Sequence, residues 1–396
     1  MIEFSPNVER LTPSATIALG ARVKQLLAAG EDVINLTVGE PDFPTPAFVS
    51  EAGIAAIRAG HTRYTASAGI PELRVAIAAD LCRLSPRAPE LPPSGVVVTS
   101  GAKQALFNAC FCLFGPGDRV LIPAPYWTTY PAQVDLARAE PVVVWGDAQR
   151  GFKVTPEDLE HAAEGGAKGL LLNSPNNPTG AVYSLEELEA IARWAAERGV
   201  WLISDEIYRR IYRGGGLAPG ILDVDPALLE RVVVIDGASK AFAMTGWRIG
   251  FSYSSPALAT RMADLQSHTT SQAPSPSQYA ALAAYRAGEG EMEEYRRMAV
   301  AFERRRELVI ALFREQLPQV EFVEPEGAFY LFFRTESLAT DGEDSIALCE
   351  RLLGSTGVAL VPGEAFGDDS YLRLSYACSE EKLREGVRRL AEAGRP

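Results

Sequence analysis

Six short apolar runs between residues 96 and 235 most constrain how this chain can fold. Each run is rich in valine, leucine or isoleucine and leads into a polar turn, and stretches with helical periodicity separate several of them. The runs cover residues 96–99, 120–122, 142–145, 170–173, 200–204 and 232–235. Strands that alternate with helices predict an α/β fold whose sheet is mostly parallel.

Helix signals support this pattern. A helix is predicted over residues 103–114, and another over 185–198, where Ser184 and Glu187 form a capping box and Gly199 ends the helix. We therefore expect strands and helices to alternate along the central part of the chain.

The pattern changes after residue 290. A long charged helix is predicted over 291–317, a strand pair broken at Gly327 over 322–333, a strand over 371–376 and a last helix over 380–393. We predict a large domain over residues 46–290, a smaller α+β domain from residues 14–45 and 291–396, and an N-terminal arm over residues 1–13.

Side chains suited to chemistry follow the predicted strands. Because the carboxyl ends of parallel strands share one edge of a sheet, these side chains are expected to meet in one crevice. The residues that follow five of the runs are Gly101 and Ala102 at a helix start, Tyr126 and Trp127, Asn177, Asp205 with Tyr208, and Lys240.

Lys240 follows the buried run 232–235, and Arg248 comes eight residues later. An amine that attacks carbonyls and a guanidinium that binds phosphate suit pyridoxal 5'-phosphate (PLP), an aldehyde with a phosphate group. The chain has only six lysines, so a lysine in an apolar stretch, such as Lys240 or Lys103, is expected to have a specific role. The alternative for Lys240 alone is a strand-end lysine that reaches solvent.

Composition limits the partners. The net charge of -13 opposes nucleic acid or an anionic membrane as the main partner, and no apolar run is long enough to span a bilayer. Five cysteines and three scattered histidines show no metal-site spacing, so no metal is expected. The acidic N-terminal stretch lacks the apolar core of a signal peptide. We expect a cytoplasmic protein.

Several motifs together resemble those of the class I aminotransferases, PLP enzymes of fold type I, and in particular the bacterial aspartate/prephenate aminotransferase subgroup. The resemblance extends from Pro13 to the last helix. The motifs are PSAT, GEPDF, GIPEL, SGAKQALFN, SPNNPTG, SDEIY, SKAF with TGWRIG, and RLSYA. It implies a mixed, mostly parallel sheet in a large domain, beside a smaller α+β domain.

The resemblance implies a role for each residue that would hold the cofactor ring. Lys240 would bind the aldehyde carbon and act as the general base. Asp205 would pair with the pyridine nitrogen, while Tyr208 and Asn177 would bond the ring's phenolic oxygen. Trp127 would stack on the ring and border the substrate, with its neighbour Tyr126 as the alternative.

The cofactor's phosphate would lie on the backbone N–H groups of Gly101 and Ala102 and on Arg248. Many relatives have a phosphate-binding serine three residues before the lysine; here that residue is Gly237. Tyr64 matches a tyrosine that relatives extend to the neighbouring subunit's phosphate, which implies a homodimer with shared sites. A plain surface aromatic is the alternative for Tyr64.

The resemblance also implies the substrate contacts. Arg373 would bind the α-carboxylate, helped by Asn177 and the backbone of Gly39. Lys103 would bind the distal carboxylate of a dicarboxylic substrate, and Thr12 matches a position that tunes prephenate use.

These roles imply an aminotransferase that moves the amino group of L-aspartate to 2-oxoglutarate in ping-pong half-reactions. The alternatives are a prephenate or aromatic amino-acid aminotransferase and, on the same fold, a PLP-dependent β-lyase. A PLP-binding regulator fused to a DNA-binding module is opposed by the acidic charge. The resemblance also predicts a cis peptide bond between Asn177 and Pro178.

Overall fold

The structure, a computed structural model, describes residue 5, residue 8 and residues 15–393, except for the side chains of residues 15–18. The strands, β1 to β13 in chain order, are Ile34–Asn35, Val96–Thr99, Arg119–Ala124, Glu140–Trp145, Gly169–Asn173, Trp201–Asp205, Val232–Gly237, Gly250–Tyr253, Phe322–Val323, Tyr330–Arg334, Val358–Ala359, Val361–Pro362 and Tyr371–Ser375.

The α-helices, α1 to α13, connect these strands or flank them. They are Ala15–Ala28, Ala47–Arg58, Pro71–Leu84, Ala102–Leu113, Thr129–Leu136, Pro156–Ala162, Leu185–Arg198, Ala238–Ala241, Pro256–Ser267, Ser275–Tyr285, Glu289–Gln316, Ser345–Thr356 and Glu380–Ala393.

A seven-stranded sheet forms the centre of the fold. Its strand order is β2-β8-β7-β6-β5-β3-β4, and every neighbouring pair is parallel except the two that β8 makes with β2 and β7. The predicted α/β fold with a mostly parallel sheet is therefore confirmed. All six strands predicted between residues 96 and 235 are present, whereas the antiparallel strand β8 was not predicted.

Local sequence explains several of these elements. Strands β2, β5 and β7 are buried along their whole length, as expected of strands covered on both faces. Helix α7 begins with the predicted capping box, and Gly199 ends it in the left-handed conformation. Helix α13 also spans the predicted residues.

A second group of strands packs apart from the large sheet. Strands β12, β13, β10 and β9 form an antiparallel sheet, and β1 pairs with β11 in parallel. A separate apolar cluster, which includes Phe313, Phe333 and Leu374, joins these strands to helices α11 and α13. We propose that this cluster is the core of the smaller predicted domain, and that two further clusters on the large sheet are the core of residues 46–290.

Two simpler findings complete the fold. Among the described residues, no helix is long and apolar enough to cross a membrane.

The predicted cis bond between Asn177 and Pro178 is wrong, because the cis bonds are Ala124–Pro125 and Ser174–Pro175. Asn177 and Pro178 instead lie within a turn that the N–H of Gly180 closes on the carbonyl of Asn176, at 3.0 Å.

A buried ion network holds the turn after β6. The guanidinium of Arg209, which is only 1% exposed, contacts Asp223 at 2.6 Å and Glu206 at 3.6 Å. It also donates to the hydroxyl of Ser85 at 3.0 Å, and Glu206 accepts from the backbone N–H of Ile221 at 2.7 Å. These bonds fix the segment that directly follows Asp205.

Replacing this buried arginine should destabilise the protein. In an Arg209→Met variant Glu206 stays buried without its cation, which costs about 3 to 5 kcal/mol. The matched control is Arg213→Met, because Arg213 pairs with Glu326 at the surface, where such a pair contributes below about 1 kcal/mol. Urea denaturation midpoints at one protein concentration measure both, and equal midpoints would contradict the assignment.

Candidate active site

A cavity of about 450 Å³ opens at the carboxyl edge of the large sheet, where residues of the smaller core also reach it. Ten of the thirteen predicted site residues line it. They are Gly39, Ala102, Lys103, Trp127, Asn177, Asp205, Tyr208, Lys240, Arg248 and Arg373. Gly101 adjoins Ala102, Tyr64 is 90% exposed on the surface, and Thr12 lies outside the described residues.

Asp205 ends strand β6 at the floor of the cavity and is 4% exposed. Its carboxylate accepts hydrogen bonds from the hydroxyl of Tyr130 at 2.8 Å and the N–H of Ile207 at 3.2 Å. Burial raises its pKa to about 6, although these hydrogen bonds oppose the rise. In the described part of the chain no lysine or arginine forms an ion pair with it. A buried carboxylate of this kind needs a cation from elsewhere.

Lys240 lies in the short helix α8, directly after the buried strand β7. Its Nζ donates a hydrogen bond to the carbonyl of Gly39. Burial lowers the pKa of Lys240 to about 8; Glu40 raises it, and the cations Arg248 and Arg373 lower it further. At pH 7 about a tenth of the amine is therefore uncharged and nucleophilic, far more than for a lysine with an ordinary pKa.

Arg373 comes from strand β13 and is 3% exposed. One guanidinium nitrogen donates to the side-chain oxygen of Asn177 at 2.9 Å and the other to the carbonyl of Thr37 at 3.0 Å. The group lies 4.3 Å from the ring centre of Tyr330 and 4.9 Å from that of Phe366. Its buried Nε has no hydrogen-bond partner among the described residues. The guanidinium of Arg373 is therefore held in place without a carboxylate partner. Its two nitrogens suit the binding of a substrate carboxylate.

Two tyrosines of the site were not predicted. Tyr130 bonds Asp205, and the hydroxyl of Tyr330 lies 2.8 Å from that of Tyr208. Burial raises the pKa of Tyr208, which therefore keeps its proton and can donate it to an oxygen. The sequence carries a weak signal for each: Tyr130 comes three residues after Trp127, and Tyr330 is the one hydroxyl-bearing residue in the apolar run 328–333.

The structure distinguishes the two candidates for the stacking aromatic. Trp127 lines the cavity, and the Nζ of Lys103 lies 4.8 Å from its ring centre. Tyr126 instead packs beside Gly367, where a Cβ would lie 2.9 Å from its hydroxyl. Burial, and then the charge of Arg248, lower the pKa of Lys103. Trp127 is the aromatic that can contact a bound ring.

Arg248 crosses the loop before helix α4. It donates to the carbonyl of Thr245 at 2.9 Å and to that of Ser100 at 3.3 Å. Gly101 has φ +85°, and a Cβ there would lie 2.2 Å from Nη2 of Arg248, so only glycine lets the guanidinium lie against the loop. The N–H of Gly101 donates to the carbonyl of Thr99 at 2.8 Å. This N–H is therefore bonded within the loop, and its contact with a phosphate stays a prediction.

The structure also explains Gly237, which stands where many relatives have serine. A Cβ on this residue would lie 2.7 Å from Cα of Gly250 and 2.9 Å from the carbonyl oxygen of Ile249. Strands β7 and β8 approach so closely here that no side chain fits without a shift. The neighbouring Ser239 lines the cavity instead.

The cavity carries an excess of positive charge. Five cations and only two acids, Glu40 and Asp205, line it. The cations are Lys24, Lys103, Lys240, Arg248 and Arg373. Within residues 15–393 none of these five side chains forms an ion pair with a carboxylate. Many arginines elsewhere in the chain do form such pairs. The cavity is therefore built for anions.

These features fit PLP. Asp205 can hold its pyridinium nitrogen, Arg248 its phosphate and Lys240 its aldehyde, and Tyr208 and Trp127 lie beside the same space. Among the described residues there is no group of side chains that could hold a metal ion. The fold and the site define a PLP-dependent enzyme.

Comparison with known proteins identifies the family. Residues 31–390 match the model of aminotransferase class I and II. An aspartate aminotransferase of Streptomyces avermitilis is 42% identical over 98% of this chain and 95% of its own length. A probable aspartate/prephenate aminotransferase of Aquifex aeolicus is also 42% identical, over 98% of both chains.

A solved structure agrees with this. The aspartate aminotransferase of Thermus thermophilus with maleate superposes with a TM-score of 0.92 at 40% identity, covering 99% of this chain and 100% of that one. The chain belongs to the class I and II aminotransferase family, and its cofactor is PLP.

The lowered pKa of Lys240 leads to a test on the protein freed of cofactor. Because only the neutral amine attacks an aldehyde, the rate of covalent PLP attachment should rise about tenfold per pH unit and level off near pH 8. Borohydride reduction followed by mass spectrometry measures the attachment. Lys240→Ala is the control without attachment, and a rate that still rises steeply at pH 10 would contradict the lowered pKa.

Proposed function

We propose that this aminotransferase moves the amino group of L-aspartate to 2-oxoglutarate, giving oxaloacetate and L-glutamate in two half-reactions. The observation that carries the proposal is the pair Arg373 and Lys103. Both line one cavity, and neither has a carboxylate partner in the described chain. A substrate with two carboxylates would satisfy both cations. Relatives named aspartate aminotransferase support the same substrate.

Each residue of the site then has its own role in the proposed reaction. Bound PLP supplies the aldehyde that carries the amino group and a ring that withdraws electrons from the substrate. Asp205, ionised at neutral pH once a pyridinium faces it, keeps that ring positively charged. Arg373 and Asn177 hold the substrate's α-carboxylate, which fixes the direction of the Cα–H bond.

Lys240 then moves the proton. Once the substrate's amino group has replaced it on the cofactor, the freed Nζ would accept the proton of the substrate Cα and deliver it to the cofactor carbon that carried the aldehyde. The pKa lowered by burial suits this role near neutral pH. Tyr208 donates its hydroxyl proton as a hydrogen bond to the ring oxygen, while Tyr330 holds that hydroxyl in place.

A substrate titration tests the proposal. L-Aspartate should convert the absorbance of the yellow holoenzyme at a concentration at least about tenfold lower than L-alanine or L-phenylalanine, since about 1.4 kcal/mol corresponds to one tenfold step. Lys103→Gln should raise the half-saturating aspartate concentration about tenfold and leave the value for alanine unchanged. Lys168→Gln, at an exposed lysine away from the cavity, is the matched control.

Other outcomes would favour other reactions. A preference for L-phenylalanine would move the assignment to a prephenate or aromatic amino-acid aminotransferase; the Aquifex aeolicus relative is named a probable aspartate/prephenate aminotransferase. Failure of every 2-oxo acid to restore the aldehyde form would favour a β-lyase. Equal values for the three amino acids would contradict the role of Lys103.

We further propose a homodimer in which Tyr64 reaches the partner's cofactor phosphate. The support is the 90% exposure of this residue, the largest among the exposed large hydrophobic residues of the described chain. The backbone beside it is held, because the N–H of Thr65 donates to the side chain of Gln272 at 2.8 Å. We also propose a cytoplasmic location, since all five cysteines are free thiols.

Removing the hydroxyl of Tyr64 tests the shared site. The holoenzyme should sediment with twice the 42.7 kDa mass of the chain, and Tyr64→Phe should release PLP several-fold faster than wild type. Trp145→Phe changes another exposed aromatic and serves as the control. A fully active monomer would contradict the dimer, and equal PLP release in the two variants would contradict the role of Tyr64.

A further inference from the structure

Lys24 is the one cation of the cavity without a role so far. It lies in helix α1, and Gly20, four residues earlier on the same helix face, lines the cavity beside it. The adjacent side of the helix is anchored, because Val23, about 100° around the helix from Lys24, is fully buried and packs with Leu353 and Ala359. This packing sets the rotation that turns Lys24 toward the cavity.

The space beside Lys24 is open. A Cβ at Gly20 would meet nothing within 4 Å, so the helix leaves room over the cavity at this point. Lys24 is exposed and has no ion pair with any described residue. Its amine, on a flexible four-carbon stem, can therefore follow a charged group that extends toward the helix.

The proposed reaction requires the cavity to bind diacids of two different lengths. Aspartate and glutamate differ by one methylene, so when Arg373 holds the α-carboxylate the distal carboxylate of glutamate extends about 1.5 Å farther, one bond length. Lys103 has less freedom to follow it, because its amine lies over the ring of Trp127 at 4.8 Å. A second cation on another element would serve the longer acid.

We infer that Lys24 binds the distal carboxylate of five-carbon diacids, L-glutamate and 2-oxoglutarate, while Lys103 suffices for the four-carbon ones. The inference rests on the proposed function, because it takes a dicarboxylate in the cavity as given. Lys24, at the point where helix α1 borders the cavity, would then determine the length of the diacid that the site binds.

The test measures single half-reactions of the holoenzyme with L-glutamate, L-aspartate and L-alanine. Lys24→Gln should raise the half-saturating glutamate concentration about three- to tenfold, change the aspartate value less than twofold and leave alanine unchanged. Lys24→Arg, which keeps the charge, should restore glutamate binding. Arg22→Gln is the matched control, since Arg22 is an exposed cation of the same helix that does not line the cavity.

Equal effects of Lys24→Gln on glutamate and alanine, equal effects on glutamate and aspartate, or no effect at all would each overturn the inference. So would an Arg22→Gln variant that behaves like Lys24→Gln, because the effect would then come from the charge of the helix as a whole. The two proposals fail in different ways. If wild type does not prefer diacids over alanine, the proposed function fails; if it does and Lys24→Gln equals wild type, only the role of Lys24 fails.

Discussion

The unpaired carboxylate of Asp205 is the constraint on which the rest of the site depends. It is buried at the end of a central strand, two neutral donors hold it, and burial raises its pKa to about 6. Placing a charge there is costly unless a cation arrives with the ligand. The pyridinium of PLP meets that need, and the buried network around Arg209 keeps the strand end in position to receive it.

A second physical feature is the excess of cations in the cavity. Arg248 can lie there because glycines let neighbouring backbone segments and its guanidinium pack closely together. Gly250 allows strand β8 to lie against the start of helix α4, because a Cβ there would lie 2.2 Å from the nitrogen of Ala102. Gly101 lets Arg248 lie on the same loop. Cations gathered in this way repel one another, and this contributes to the lowered pKa values of Lys103 and Lys240. Binding an anionic cofactor and diacid relieves that repulsion.

Much of this could be predicted from the sequence, for identifiable reasons. Six of the seven strands of the large sheet and helix α7 carry strong local signals, and Lys240 stands out because lysine is scarce. Strand β8 was missed because its four residues follow a 3-10 turn and pair antiparallel with distant strands. Tyr330 and Lys24 were missed because their place in the site comes from how the smaller core packs over the sheet, which no local pattern encodes.

The most direct measurement is the nitrogen-15 NMR shift of PLP labelled at the ring nitrogen and bound to the wild-type enzyme. We expect a protonated nitrogen throughout pH 6 to 9, because the carboxylate of Asp205 holds the proton there. An Asp205→Asn variant should show an unprotonated nitrogen at the upper end of that range. An unprotonated nitrogen in the wild-type enzyme at neutral pH would contradict the claim that the buried carboxylate of Asp205 forms an ion pair with the pyridinium of the cofactor.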